Sequence, residues 1–181
     1  MRRAHFLGII LLLFSVLVGC NTSENREDSA ITVMEPVAAR TVEIINAKGD
    51  KIGKVLLTQE KNGVRLHIQA TGLTPGKHGF HIHEKAFEGT DYQAAGGHFK
   101  PTGAQHGLKN PKGPHLGDMR NLIVKADGTA KQTEFLAKAN LRKSDEFSLL
   151  GRSIIIHSGE DDQVSDPSGN SGDRIAGGVI R

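Results

Sequence analysis

The stretch from His78 to Asp118 restricts the fold more than any other part of this chain. Gly96, Gly97, Gly103, Gly107, Gly113 and Gly117, with Pro101, Pro111 and Pro114 among them, interrupt it too often for a helix or a long strand to run through its second half. An irregular loop of this length has no apolar face to bury, so something other than a core must order it. The side chains it carries supply the candidate. Six of the nine histidines fall in this window, with Asp118 at its far end. Imidazole and carboxylate are ligands that suit zinc and copper, and a loop that closes round an ion gains order from binding it.

The spacings divide the candidates into two groups. In the run His78-Gly79-Phe80-His81-Ile82-His83 one residue separates His81 from His83, and alternate residues of an extended strand face the same way, so both rings reach one ion. His78 has the wrong parity for that chelate and reads as a structural, hydrogen-bonding histidine. From His98 the candidates follow at intervals of eight, nine and three residues, at His106, His115 and Asp118. One subsite is therefore expected on a strand and a second in the loop.

The flanking sequence is built from short alternating runs. Val42 and Ile44 alternate with polar neighbours before a turn at Gly49-Asp50, and Lys54 to Thr58 forms the next run. Asn62-Gly63 is a two-residue hairpin signal, followed by Val64, Leu66, Ile68 and Ala70 alternating with Arg65, His67, Gln69 and Thr71. Asp127-Gly128 marks a second hairpin, between Asn121 to Lys125 and Ala130 to Phe135. Ser153 to His157 and Gly177 to Ile180 complete the set, and Asn140 to Ser148 is the one stretch that suits a short helix. With no Trp and one Tyr, the core must rest on Val, Ile, Leu and a few Phe. This pattern predicts an all-β, Greek-key sandwich or barrel of about eight antiparallel strands over residues 40–181, with long metal-binding and active-site loops.

The N-terminus reads differently. Met1-Arg2-Arg3, an apolar run from Phe6 to Val18, and Leu17-Val18-Gly19-Cys20 resemble a bacterial lipoprotein signal, too short for a comfortable membrane span. Residues 1–19 would be removed and Cys20, the only cysteine and hence without a disulfide partner, would be lipidated. Residues 20–39 then form a polar tether, and the protein is expected on the outer face of a bacterial cell membrane. Losing Arg2 and Arg3 lowers the net charge from +3 to +1, so nucleic acid is not an expected partner.

The segments His78 to His83, Gly97-His98-Phe99, His115-Leu116-Gly117-Asp118, Gly151 to His157 and Gly169 to Val179 together resemble the copper,zinc superoxide dismutases, in that family's order and with similar spacings. The resemblance implies copper on His81, His83, His98 and His157, and zinc on His98, His106, His115 and Asp118, with His98 bridging the two. It implies that Arg174 docks the superoxide anion, and that Asp161 hydrogen-bonds one histidine of each metal, with Asp162 the rival for that role. The implied activity is dismutation of superoxide to oxygen and hydrogen peroxide, by a copper that is alternately reduced and reoxidised while His98 carries a proton.

Two departures bear on these expectations. The family usually ties the loop after the copper-binding strand to the region beside its arginine by a disulfide, and this chain has no cysteine in either place. Residues 84–97 and 158–176 are accordingly expected to be soft without metal. The acidic run Glu160-Asp161-Asp162, with Asp166 and Asp173, opposes an anionic substrate, with Lys85 and Lys100 as candidate compensation. The alternative reading is a non-catalytic copper- and zinc-binding lipoprotein on the same scaffold. The expected assembly is a monomer or a homodimer.

Overall fold

The computed structural model describes residues 38–181. The expected signal peptide, Cys20 and the tether up to residue 37 lie outside the described residues.

Alternation sets the sheet. In β1 (Ala39–Asn46), β2 (Lys51–Glu60) and β3 (Gly63–Ala70) the buried positions are Val42 and Ile44, then Val55 and Leu57, then Val64, Leu66, Ile68 and Ala70. The Asn62-Gly63 hairpin sets the register, so that Leu57 pairs with Leu66 and Val55 with Ile68. The remaining strands are β4 (Gly76–His78), β5 (Phe80–His83), β6 (Leu122–Val124), β7 (Ala130–Ala137), β8 (Ser153–His157) and β9 (Arg174–Val179). All pairings are antiparallel, in the order β4-β6-β7-β3-β2-β1-β9-β8-β5.

The two ends of that order, β4 and β5, are consecutive in sequence and separated only by Gly79, so the sheet is a nearly closed barrel. The run from His78 to His83 is thus two strands that pair with different partners, which is why there are nine strands and not eight. Gly79 is where the chain changes partner. A Cβ there would stand 2.6 Å from Cβ of Ser171 and 3.0 Å from Cε1 of His81. Inside, Leu57, Leu66, Ile68, Phe80, Ile82, Leu122, Leu149, Ile154 and Ile156 are fully buried. Each such side chain contributes about 1.5–3 kcal/mol.

Residues Asn140 to Ser148 form turns, not the short helix their sequence suggests. Asp145 Oδ1 accepts from the Phe147 amide at 2.9 Å and from Asn140 Nδ2 at 2.8 Å, and Asn140 Oδ1 accepts from the Arg142 amide at 3.0 Å. These side chains satisfy the backbone in a turn, which competes with helix formation. Conversely, one 3-10 turn, Tyr92–Ala95, forms where no helix was expected.

Candidate metal centre

β5 is the rail on which the site is assembled. On one side it pairs with β8. On the other the glycine-rich loop is stitched to it: Ile82 donates to Gly117 O at 2.9 Å, Phe99 to Ile82 O at 2.8 Å, and Glu84 to Gly97 O at 2.9 Å. His83 thereby bridges to His98, and His81 to Asp118. Gly117 permits this close approach, because a Cβ at that position would lie 2.3 Å from Ile82 O. Two candidate ligands of the loop are thus held beside two of the strand by backbone pairing. His157 enters from the end of β8, where a register shift between Ile156 and His157 redirects the strand.

Potential ligand atoms of His81, His83, His98 and His157 lie within 4.8 Å of one another, and all four residues are buried. Nε2 of His83 is 3.3 Å from Nε2 of His157. A second set converges on Oδ1 of Asp118, which is 3.0 Å from Nδ1 of His98, 3.1 Å from Nδ1 of His106 and 3.3 Å from Nδ1 of His115. One carboxylate oxygen is a poor acceptor for three N–H groups. The spacing instead matches the edge of a tetrahedron with arms of about 2.0 Å, which is about 3.3 Å. Oδ2 of Asp118 is oriented by the amides of Gly107 at 2.8 Å and His115 at 3.0 Å.

His98 belongs to both sets. Its Nδ1 faces Asp118, while its Nε2 is buried with no hydrogen-bond partner. His81 Nδ1 and both nitrogens of His115 are likewise buried and unpartnered. Such atoms are rare in native interiors unless an ion uses them. This donor set, four imidazoles beside three imidazoles and a carboxylate, fits copper and zinc. His81 also falls within 4.8 Å of His98, His106 and Asp118, but its Nε2 is engaged elsewhere, so it has one nitrogen to give.

That engagement is with Asp161. Its Oδ2 is 2.7 Å from His81 Nε2 and its Oδ1 3.0 Å from His106 Nε2, so one buried carboxylate spans both sets. Asn121 holds it in place, accepting from the Asp161 amide and donating to its carbonyl, both at 2.8 Å. Sequence reasoning did not single out Asn121, whose only signal is its place three residues after Asp118. The rival Asp162 is exposed and caps a turn, accepting from the amides of Val164 and Ser165 and from Asn170. His78 gives no ring nitrogen to either set: its Nδ1 is 2.7 Å from the backbone O of His157 and its Nε2 2.8 Å from Thr74 O.

Burial pushes His81 down to about 3 and His157 down to about 4, and also lowers His83 and His98, so these rings keep free lone pairs. Burial opposes charge on His106 too, but the carboxylates of Asp118 and Asp161 against its two nitrogens raise it to about 9. Burial would raise both carboxylates, yet the surrounding imidazoles hold them well below the usual range.

His83, His98, His115 and His157 open onto a cleft of about 310 Å³ that is also lined by Lys100, Asp173 and Arg174. Among the other loop acids, Glu160 pairs with Lys77 at 2.8 Å and Asp166 accepts from the His106 amide at 2.7 Å. Of the acidic residues Glu160, Asp161, Asp162, Asp166 and Asp173, only Asp173 lines the cleft, where Lys100 and Arg174 also stand.

Comparisons with known proteins agree with this geometry. The family described as copper/zinc superoxide dismutase (SODC) matches residues 51–180. Superoxide dismutase (Cu-Zn) 2 of Aquifex aeolicus strain VF5 is 43% identical over 144 residues, covering 77% of this chain and 84% of that protein. A crystal structure of a SOD-like protein from Bacillus subtilis superposes with a TM-score of 0.75 at 37% identity, covering 80% of this chain and 100% of that one. The Cu/Zn superoxide dismutase from Brucella abortus gives 0.63 at 33% identity, covering 80% and 100%. With its buried donor sets suited to copper and zinc, this chain belongs to the copper/zinc superoxide dismutase family.

Proposed function

We propose that this domain dismutes superoxide, two anions and two protons giving one oxygen and one hydrogen peroxide, with copper held by His81, His83, His98 and His157 and zinc by His98, His106, His115 and Asp118. The observation that carries the reading is His98, whose Nδ1 faces Asp118 while its Nε2, buried without a partner, is left for the His81, His83 and His157 set that opens on the cleft. When bound, copper supplies a one-electron couple and zinc a fixed positive charge. Arg174 receives the anion at the cleft through charge-assisted hydrogen bonds. Asp161 fixes which nitrogen of His81 and His106 faces inward, and His98 Nε2 delivers a proton to the departing peroxide.

The test is superoxide removal by the chain from Asn21 onward, with copper and zinc measured on the same sample. Copper-dependent turnover with one of each metal per chain supports the enzyme. Full loading without turnover supports the non-catalytic metal-binding protein instead. Arg174 favours the first reading, because metal storage has no use for a guanidinium at the mouth of the site.

The proposed location is the outer face of a bacterial cell membrane, through lipid on Cys20. The support is the basic head, apolar run and Leu17-Val18-Gly19-Cys20 of the sequence. Replacing Cys20 with alanine should move the protein from the membrane to the soluble fraction, and an unchanged distribution would refute the anchor.

A further inference from the structure

The guanidinium of Arg174 meets no carboxylate within ion-pairing distance among the described residues. It is held by carbonyls at one turn. Nη1 donates to Tyr92 O at 2.6 Å and Gln93 O at 3.4 Å, and Nη2 to Gly96 O at 2.7 Å. The location of the charge is therefore the location of that turn. In a chain whose only cysteine is Cys20, the turn has no covalent tie to the barrel.

An apolar cluster supplies the tie. Phe87, Tyr92 and Ala95 from the loop pack with Ile155 of β8, flanked by Ile45 and Val179, as a group separate from the main core. The Phe87 and Tyr92 rings meet edge to face, with centroids 5.1 Å apart. Tyr92 Oη donates to Ile45 O in β1 at 2.9 Å, and Ile45 pairs with Gly177 of β9. Gly177 leaves the space that the cluster fills. A Cβ on it would stand 2.9 Å from Cδ1 of Ile155 and 3.3 Å from Cε1 of Phe87. The loop is closed at its neck by Lys85 donating to Ala95 O at 3.0 Å. Two large aromatic residues in a loop otherwise made of polar and small residues are thus accounted for.

We propose that Phe87 and Tyr92 form a non-covalent clasp that positions Arg174 over the cleft for the anionic substrate, making Tyr92 a positioning residue for the proposed reaction. This rests on the function proposed above. Because the clasp is apolar packing and one hydrogen bond, thiol reductants leave it intact.

The test uses the copper- and zinc-loaded chain. Phe87→Ala should slow superoxide removal about tenfold, the scale on which a displaced binding group acts, and speed hydrogen exchange across residues 84–97, with both metals retained. In an Arg174→Ile background the same substitution should change the rate no further, since the clasp acts through the arginine. Tyr92→Phe, which deletes only the hydroxyl, keeps the packing and should show a smaller effect of the same kind, and it replaces Phe87→Ala should that variant not fold. An equal loss in both backgrounds, or unchanged exchange and rate, overturns the clasp. Should the wild type show no turnover, that failure belongs to the proposed function. The affinity of the copper-loaded protein for azide then reads Arg174 placement, with the same loss and the same dependence on Arg174 expected.

Discussion

His157 and Arg174 are paired residues of adjacent strands, β8 and β9, at the register shift that redirects the end of β8. A metal-binding candidate and the cation proposed to bind the anion are thus set by one strand pairing, and both line the same cleft. His157 Nδ1 is itself fixed by Gly172 O at 3.1 Å, while Arg174 takes its bonds from the 92–96 turn. Their side chains have separate supports, so they can be separated by mutation.

Arg174→Ile should therefore leave one copper and one zinc bound while lowering the rate about ten- to hundredfold, the equivalent of a lost charged hydrogen bond of about 1.5–3 kcal/mol. Metal analysis and a superoxide assay on one preparation check this. An unchanged rate would show that the anion does not bind there.

Asp161→Asn should weaken zinc binding about 10- to 100-fold, the usual effect of removing a carboxylate that orients a ligand. Asparagine can accept from only one of His81 and His106 and must present its NH₂ to the other. Competition with a chelator measures the change, and an affinity equal to that of the wild type would reject the orienting role.

Stripping both metals leaves His81 Nδ1, His98 Nε2 and both His115 nitrogens buried without partners. At about 1–3 kcal/mol for each such atom, and about 2–4 °C of Tm per kcal/mol, Tm should fall by about ten degrees or more. Hydrogen exchange should accelerate in residues 103–118 and 158–173. Residues 84–97 should stay protected by the Phe87–Tyr92 cluster, which revises the softness that the missing cysteines suggest. Calorimetry with exchange mass spectrometry tests both parts.

The metal-free chain should lose stability in acid. His81 and His157 are lowered from 6.5 to about 3 and about 4, and His83 is lowered as well, so between roughly pH 6.5 and 4 the unfolded chain binds more protons than the native one. Stability then rises with pH through that window, by up to about 1.4 kcal/mol per pH unit for each ring. His106, raised to about 9, acts in the opposite sense: its contribution is complete below pH 6.5 and fades as pH climbs toward 9. Denaturant midpoints measured from pH 4 to 9 should pass through a maximum near neutrality, and a flat profile would contradict the burial of these rings.

Much of this was legible in the sequence because it is local. Alternation placed β1 to β3, the Asn62-Gly63 hairpin set a register, and the parity of His81 and His83 put two rings on one face. What was not legible depends on distant partners. The 92–95 turn owes its place to Ile45 and Ile155, which no local pattern links to Tyr92. The break at Gly79 becomes visible only when β4 pairs with β6 and β5 with β8. Asn140 and Asp145 turned a helical-looking segment into turns by bonding the backbone themselves. Asp161 and Asp162 are neighbours of the same type, and only their burial tells them apart.

β5 ends the strand order, and its outer edge is covered by a loop instead of a tenth strand, through bonds at Ile82, Glu84 and Phe99. An uncovered edge of this kind is a template on which other chains polymerise. Of the three bonds that shield it, the one to Gly117 falls in the segment expected to loosen when the ions leave. Removing the loop from β5 would therefore cost the chain its guard against pairing with its own copies, as well as the placement of two candidate ligands, His98 and Asp118.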